Sequence, residues 1–298
     1  MLEFESLTLK HKDLFAKIHP DPEYCGCEYE FSAAFIWNIR KEAIVCVYND
    51  VLILSGRFYS HPVFYPPMPL SGGADLTGSV EEIHKYCEKA ERKFIIKALT
   101  DKMLSRIGTG LLNRFKVIPD RDLYDYIYDA QELINLPTPK FHDKKNHLNQ
   151  FMLNYRFDYR AYRDGDLEDI LSLFDGWAET NPDKAGAEAE RRALINALKH
   201  LKAIDMFADV IIIDGRVRAF AVGSVSRSNG TGIVNFEKAD IHYKGIYAAV
   251  NNFFAKTHFS NCKYVNRQED MGFPGLRRSK MSYNPVFLLE KSLLTNDK

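Results

Sequence analysis

The sequence is poor in three features that mark specialised classes of protein: cysteine, an excess of charge of one sign, and long apolar runs. Its five cysteines form no C-x-x-C pair, and its nine histidines show no metal-ligand spacing. Both facts argue against a disulfide scaffold or a metal site. Forty basic residues balance forty acidic ones, so only a local patch can attract nucleic acid or an anionic surface. We expect no DNA partner.

Membrane and secretion signals are also missing. No apolar run approaches the roughly 18 residues that a transmembrane helix needs, and residues 1–13 lack the apolar centre of a secretory signal. Neither a G-x-S-x-G elbow nor a G-x-x-x-x-G-K-[ST] phosphate loop occurs. We therefore expect a cytoplasmic protein with no integral membrane segment, and we set aside serine hydrolase, nucleoside triphosphatase and zinc-enzyme functions.

The composition favours a large core in two domains. Apolar residues make up 46% and charged residues 27% of the 298 positions, which suits two globular domains of ordinary size. The apolar periodicity stops at residues 136–139, where two prolines occur, and the basic segment 140–147 that follows is typical of a solvated linker. We place a boundary near residue 150, giving an N-terminal domain of residues 1–150 and a C-terminal domain of residues 151–298.

Local patterns predict the order of helices and strands. Asn49-Asp50 and Asp214-Gly215 separate apolar runs and predict tight hairpins. A capping box formed by Ser79 and Glu82 predicts a helix that begins at Ser79. The second half reads as a strand, two helices, three mostly antiparallel strands, a helix, a strand, a short helix and a strand. This is the order of the GNAT acyltransferase fold, an analogy that bears on architecture more than on chemistry.

A glycine in the first turn of the helix predicted for residues 243–259 marks a candidate donor-binding site. Free amides and the positive end of a helix can receive a phosphate or carboxylate, as in the coenzyme A loop of GNAT enzymes. The candidate residues are His242, Tyr243, Lys244, Gly245, Ile246 and Tyr247. The alternative is an ordinary helix start, because short glycine motifs often occur without a ligand.

The segment 265–285 is dense in ionisable and turn residues and has almost no apolar periodicity. In it Glu269 or Asp270 could act as a base, and Tyr283 could protonate a leaving group. Phosphate or carboxylate could be held by Asn266, Arg267, Arg277 and Lys280. The alternative is a solvated loop fixed by arginine–carboxylate pairs.

A third candidate is the basic segment after the prolines. Lys144, Lys145 and Asn146 could hold a phosphate group. The alternative is a solvated charged face. The preceding tyrosines at positions 124, 126 and 128 have the spacing of a strand, which favours packing.

Three segments, residues 125–128, 141–151 and 266–280, together resemble a family of uncharacterised bacterial proteins grouped with the C-terminal catalytic domain of phosphatidylglycerol lysyltransferase. Residues 238–240 and 244–247 also fit. The resemblance implies an α+β protein of two GNAT-like domains packed around a shared cleft. In the better-known relatives such a pair moves an aminoacyl group from aminoacyl-tRNA to a lipid, and in the related Fem transferases to a peptidoglycan-precursor amine. The absence of a membrane-spanning part departs from the lysyltransferase, and no catalytic residue is carried over from it.

The leading hypothesis is therefore an acyltransferase that moves an aminoacyl group from aminoacyl-tRNA to an amine or hydroxyl of a small molecule, lipid or peptide. Such chemistry needs orientation, a polarised carbonyl and a route for one proton. The alternatives are an N-acetyltransferase that uses acyl-CoA and a non-catalytic ligand-binding module. The transferase hypothesis, as derived from the sequence, expects open amides around residues 243–247. These amides should lie in a crevice that also contains Arg267 and Lys280.

Overall fold

The computed structural model describes residues 2–19, 26–58 and 61–296. The predicted loop at Pro20 and Pro22, and also Cys25, lie outside the described residues. The helices are α1 (Lys12–Phe15), α2 (Phe31–Ile36), α3 (Leu76–Lys89), α4 (Asp101–Arg106), α5 (Thr109–Leu112), α6 (Ala130–Asn135), α7 (His142–Asn154), α8 (Leu167–Thr180), α9 (Lys184–His200), α10 (Ile246–His258) and α11 (Pro274–Met281). The strands are β1 (Glu5–Ser6), β2 (Ile44–Tyr48), β3 (Val51–Phe58), β4 (His61–Phe64), β5 (Met68–Pro69), β6 (Ile95–Leu99), β7 (Lys116–Pro119), β8 (Asp125–Asp129), β9 (Asp158–Ala161), β10 (Met206–Ile213), β11 (Arg216–Val225), β12 (Gly232–Ala239), β13 (Tyr264–Asn266), β14 (Phe287–Leu289) and β15 (Ser292–Thr295).

These strands form two mixed sheets. The first has the order β1-β2-β3-β4-β6-β15-β7, with β5 paired to β3, and the second has the order β14-β8-β13-β12-β11-β10-β9. The predicted α+β architecture with two sheets is confirmed. From β9 to β14 the elements follow the GNAT order expected from the sequence.

The two halves of the chain exchange strands and share a core. Strand β8 of the first half pairs with β13 and β14 in the second sheet, and the C-terminal β15 pairs with β6 and β7 in the first. One apolar cluster joins β2 and β3 to α8, α9 and one face of the second sheet, while a second cluster lies between α10 and the other face. The boundary near residue 150 stays a prediction. It falls inside α7, and a cut there would separate β8 and β15 from the sheets that contain them.

The local turn chemistry is confirmed at both hairpins. Asn49 and Asp50 have φ angles of 45° and 60°, and Asp214 and Gly215 have 53° and 74°. These left-handed values match the primed turns that follow the twist of antiparallel strands.

Two predicted boundaries are wrong. Helix α3 begins at Leu76 instead of Ser79, because the Asp75 side chain accepts from the amide of Gly78 and caps the helix one turn earlier. The basic segment 140–147 is not a linker, since α7 begins at His142. Phe151 on this helix is fully buried in the cluster beneath α10, so tertiary packing supplies what the weak local periodicity lacks.

Strands β12 and β13 diverge soon after they pair. Their parallel pairing is limited to Gly232–Val265 and Ile233–Asn266, although β12 continues to Ala239. A register shift between β11 and β12 also leaves Asn235 without a partner in the ladder, as in a β-bulge. We call the opening beyond these paired residues the strand gap.

Candidate functional site

A buried ion pair crosses the strand gap. The Nη2 atom of Arg267, just past β13, lies 2.9 Å from Oε1 of Glu237 on β12. Their side chains are 11% and 9% exposed. The guanidinium also lies over the rings of Tyr283 and Tyr128, at 4.7 and 5.7 Å from the ring centroids. Charges held in such dry surroundings interact more strongly with a ligand than charges in water.

Several polar atoms around this pair have no hydrogen-bond partner among the described residues. They are Nη1 of Arg267, Oδ1 of Asn251, and both Oδ1 and Nδ2 of Asn235. Asn251 is held in place because its Nδ2 donates to Glu237 Oε2 at 3.0 Å. Buried polar groups in native proteins are almost always paired. The strand gap therefore offers one strong donor and several acceptors to a polar ligand.

Two titratable side chains lie beside the arginine. The ammonium of Lys144 on α7 is 4.2 Å from the Tyr283 ring centroid and is half-buried. Burial lowers the pKa of Lys144, and the charge of Arg267 lowers it further. Burial raises the pKa of Tyr283, although the nearby Arg267 acts in the opposite direction. Lys144 can therefore exchange a proton more readily than an ordinary lysine, whereas Tyr283 stays protonated and can donate a hydrogen bond.

The carboxylate of Asp270 is engaged in its own ion-pair cluster. It accepts from Tyr126 at 2.6 Å, from Arg121 at 3.1 Å, from Arg277 in a bidentate pair at 2.9 Å, and from the amide of Gly272 at 2.9 Å. Burial alone would raise the pKa of Asp270, but the hydrogen bonds from Arg277, Tyr126 and Gly272 outweigh it and lower the pKa to about 2. This geometry fits the alternative of a loop fixed by arginine–carboxylate pairs.

Lys280 and Asn266 hold the backbone after β13. The Lys280 ammonium donates to the carbonyls of Arg267, Gln268 and Glu269 at 2.6, 3.0 and 2.5 Å. Asn266 is fully buried, donates to Asp125 at 2.8 Å and accepts from the amide of Gln268 at 2.6 Å. These contacts use all three ammonium donors and position Arg267 in the strand gap.

Glu269 points to a separate buried cluster between the sheets. Burial acts to raise its pKa, but the charges of Lys291, Lys97 and Lys280 lower it overall. Its Oε2 atom has no hydrogen-bond partner among the described residues. Arg267 and Glu269, two positions apart, thus lie in different places, the strand gap and this cluster.

Lys291 occupies the centre of that cluster. Its ammonium lies 2.7 Å from Glu28 and 2.8 Å from Asp125, and its side chain is 1% exposed. Cys27, Glu28 and Asp125 are near enough to one another to hold a metal ion. The ammonium contacts both carboxylates and offsets part of their negative charge.

At the start of α10 four amides have hydrogen-bond partners within the chain, which differs from the expectation of open amides there. The amide of His242 donates to Asp240 Oδ1, that of Tyr243 to the Asp240 carbonyl, that of Lys244 to the Tyr155 hydroxyl, and that of Ile246 to the Tyr243 carbonyl. Gly245 has φ 87°, and a Cβ added there would lie 2.1 Å from the His147 carbonyl oxygen. Helix α7 therefore covers the turn that was expected to be open.

The side chains of the same segment take different positions. Ile246 is 1% exposed and belongs to the core, while Lys244 and His242 are exposed. Burial raises the pKa of Tyr247, whose hydroxyl accepts from the amide of Ala239. The ring of Tyr243 packs on Tyr155 at 5.2 Å. Donor binding by these residues stays a prediction, without the open amides that motivated it.

The other basic-segment candidates face outward. Lys145 and Asn146 are exposed on α7, and Asn146 contacts the ring of His142 at 2.9 Å. Of the three, only Lys144 lies against the strand gap.

Sequence reasoning missed Asn235, Asn251 and the role of Glu237. A glutamate on a strand and an asparagine within the apolar pattern of a helix were the available signals, because polar residues at inward positions need partners. The bulge at Asn235 has no visible signal in one sequence.

The second sheet, with its GNAT order of elements and diverging central strands, places the chain in the class of GNAT-like acyltransferase folds. Residues 23–295 match the family described as phosphatidylglycerol lysyltransferase, C-terminal. The chain belongs to this family, which supports an acyl- or aminoacyltransferase.

Similar solved structures agree with the family. A conserved protein of unknown function from Bacteroides thetaiotaomicron is 29% identical, with 99% of each chain covered and a TM-score of 0.90. L-PGS from Bacillus licheniformis is 14% identical, with 94% of this chain and 93% of that one covered and a TM-score of 0.65. FemX is 10% identical, with coverage of 99% and 97% and a TM-score of 0.63. The last two similarities bear on the fold alone.

A curated relative is an uncharacterised protein of Mycoplasmoides gallisepticum, which is 27% identical over 173 residues. The match covers 57% of this chain and 55% of that protein, so the chain spans about half the length of this relative. Among the described residues, no helix is both long and apolar enough to cross a bilayer.

Proposed function

We propose that the chain transfers an aminoacyl group from aminoacyl-tRNA to an amine or hydroxyl acceptor, with the donor's aminoacyl end in the strand gap. The observation that carries this proposal is the set of unpaired buried atoms there. Nη1 of Arg267 can donate to the carbonyl oxygen of the ester, and Oδ1 of Asn251 can accept from the α-ammonium group. Asn235 on β12 has a further acceptor without a partner among the described residues.

The reaction then needs few groups. The acceptor's lone pair attacks the ester carbonyl carbon, negative charge develops on the carbonyl oxygen, and Arg267 stabilises that charge. The ester C–O bond then breaks and the ribose oxygen leaves. The ribose oxygen gains a proton, and the acceptor loses one. Lys144 in its neutral form takes this proton from the attacking group, and its resulting ammonium returns it to the ribose oxygen. The Tyr283 ring packs against the Lys144 side chain, with the amine 4.2 Å from the ring centroid, and limits where that amine can lie.

The acceptor atoms in the strand gap favour an aminoacyl over an acetyl donor. An acetyl group has no amine to satisfy Asn251 and Asn235, and an unsatisfied buried polar atom costs about 1–3 kcal/mol. Four of the amides proposed for a degenerate coenzyme A site, those of His242, Tyr243, Lys244 and Ile246, have partners within the chain. No observation on the described residues favours the acyl-CoA alternative or a non-catalytic module.

The direct test is a transfer assay. The purified chain is incubated with a mixture of aminoacyl-tRNAs carrying radiolabelled amino acids, and separately with labelled acetyl-CoA. The acceptors are phosphatidylglycerol vesicles, the lipid that the family description names, and soluble amines. We expect transfer from aminoacyl-tRNA alone, reduced at least 100-fold by Arg267→Lys, because lysine lacks the second donor that reaches the carbonyl.

The matched control is Arg114→Lys, a replacement at a half-exposed arginine paired with Glu81 on the surface, which should leave transfer unchanged. Transfer from acetyl-CoA, or full activity of Arg267→Lys, would contradict the proposal.

A further inference from the structure

A ligand-sized cavity lies at the opposite end of the β12–β13 pair from the strand gap. Its volume is about 610 Å³, within the range of small-molecule sites. Its walls come from both sheets and their connections: the start of α4, the turn between β11 and β12, the beginning of β13 and the end of β14. None of the residues assigned to the strand gap lines it.

One wall is aromatic. The rings of Tyr264 and Phe287 meet edge to face, with centroids 5.6 Å apart and an angle of 86°. Phe287 is 38% exposed, so its ring is accessible from the cavity. Exposed rings of this kind stack with planar ligands such as nucleobases.

The remaining wall carries charges of both signs. The ammonium of Lys263 lies 4.9 Å from the Tyr264 ring centroid, and Lys102 borders the same cavity. Asp101 and Glu290 also line it. Glu290 forms a hydrogen bond with the Tyr124 hydroxyl, and the charge of Asp101 also acts on that hydroxyl. The two carboxylates therefore lie on the same side of the cavity, near Tyr124.

We propose that this cavity binds a ribonucleotide, either free or as an unpaired nucleotide of an RNA. The base stacks on Phe287, the ribose hydroxyls donate to Asp101 or Glu290, and the phosphate binds Lys263. A simple cation would be repelled by the two lysines, and a simple anion would be repelled by the two carboxylates. A nucleotide uses the ring, the carboxylates and the lysines together. The RNA form rests on the proposed function, since the aminoacyl end of a tRNA is single-stranded.

The test is calorimetric titration of the whole chain with AMP, CMP, their 2′-deoxy forms and the RNA tetranucleotide ACCA. We expect ribonucleotides to bind, and 2′-deoxy forms to bind at least fivefold more weakly because a hydroxyl donor is lost. Phe287→Ala should weaken binding at least tenfold. The matched control is Val286→Ala, because Val286 is the preceding residue, 51% exposed and outside the cavity wall; it should change nothing.

The two sources of the nucleotide are distinguished by affinity. Tetranucleotide binding at least tenfold tighter than AMP or CMP assigns the site to RNA, and equal binding assigns it to a free nucleotide. The inference is overturned if no ribonucleotide binds at millimolar concentration, if the deoxy forms bind equally, or if Phe287→Ala binds as the parent does. Binding of amino-acid amides to the same samples separates the two proposals: if amides bind and ribonucleotides do not, only this inference falls.

Discussion

The guanidinium of Arg267 and the carboxylate of Glu237 lie 2.9 Å apart across the strand gap. The ion pair bridges β12 and β13 beyond their last paired residues. One guanidinium nitrogen of Arg267 has no partner among the described residues. An opening between strands, a buried donor in it and acceptors opposite are the elements that an acyl-transfer site needs.

Neutralising Glu237 should impair both stability and function. Glu237→Gln leaves Arg267 buried without its counter-charge, which should lower the free energy of unfolding by about 3 kcal/mol. It should also abolish the binding of amino-acid amides, the ligands that mimic the aminoacyl end, in the strand gap. Glu190→Gln is the matched control, because Glu190 pairs with Lys238 of the same strand at 2.6 Å. Urea unfolding should show a loss in both variants, and only Glu237→Gln should lose ligand binding. Equal ligand binding by the two variants would contradict a role for Glu237 in the site.

Replacing Gly245 should be far more damaging than replacing another glycine of similar backbone conformation. Gly245→Ala places a Cβ 2.1 Å from the His147 carbonyl oxygen at φ 87°. A left-handed residue costs about 1–2 kcal/mol and overpacking about 1–3 kcal/mol, so we expect a loss of about 3 kcal/mol or more. Gly215→Ala, at φ 74° with no atom within 4 Å, should lose about 1 kcal/mol. Similar urea midpoints for both variants would show that α7 does not pack on α10 as described.

The ion-pair cluster around Asp270 should stabilise the protein in a pH-dependent way. The pKa of Asp270 is lowered from 3.8 to about 2, so its contribution of about 2 kcal/mol is complete above pH 4 and disappears as the pH falls towards 2. The difference in unfolding free energy between the parent and Asp270→Asn should shrink by that amount between pH 5 and pH 2. A constant difference for Asp270→Asn would contradict the assignment.

Removing the buried ammonium of Lys291 should destabilise the protein most at high pH. In Lys291→Met the carboxylates of Glu28 and Asp125 lose their counter-charge, which should cost about 3–5 kcal/mol at pH 8. Burial already raises the pKa of Asp125 to about 6, although Lys291 acts to lower it. Without the lysine this pKa rises further, so protonation should restore part of the lost stability as the pH falls from 8 to 5. A difference from the parent that does not narrow over this range would rule out the charge explanation.

Elements encoded by local chemistry could be predicted from the sequence. The Asp214-Gly215 turn follows from backbone preferences of two adjacent residues, and the order of elements from β9 to β14 follows from apolar periodicity. Strand β15 could not be predicted, because its four residues acquire partners, β6 and β7, that lie more than 170 positions away in the chain. Such pairing depends on the tertiary fold, which local patterns do not contain.

The candidate site could be predicted only in part, because local patterns show the chemistry of a residue and not its partners in the fold. Arg267, Lys144 and Tyr283 were selected for their chemistry, and the fold brings all three together. The sequence does not show that Asp270 is enclosed by arginines or that Tyr155 and Asp240 bind the amides at the start of α10. Those partners come from other elements, and the fold decides which charged residues remain available to a ligand.

The most direct test of the central claim is calorimetric binding of amino-acid amides, which carry the carbonyl and the α-ammonium of an aminoacyl ester. We expect at least one of the twenty amides to bind the parent chain, its N-acetylated form to bind at least tenfold more weakly, and binding to be lost in Arg267→Lys and in Asn251→Leu. Equal affinity for the acetylated form, or undiminished binding in both variants, would show that the strand gap is not the aminoacyl site.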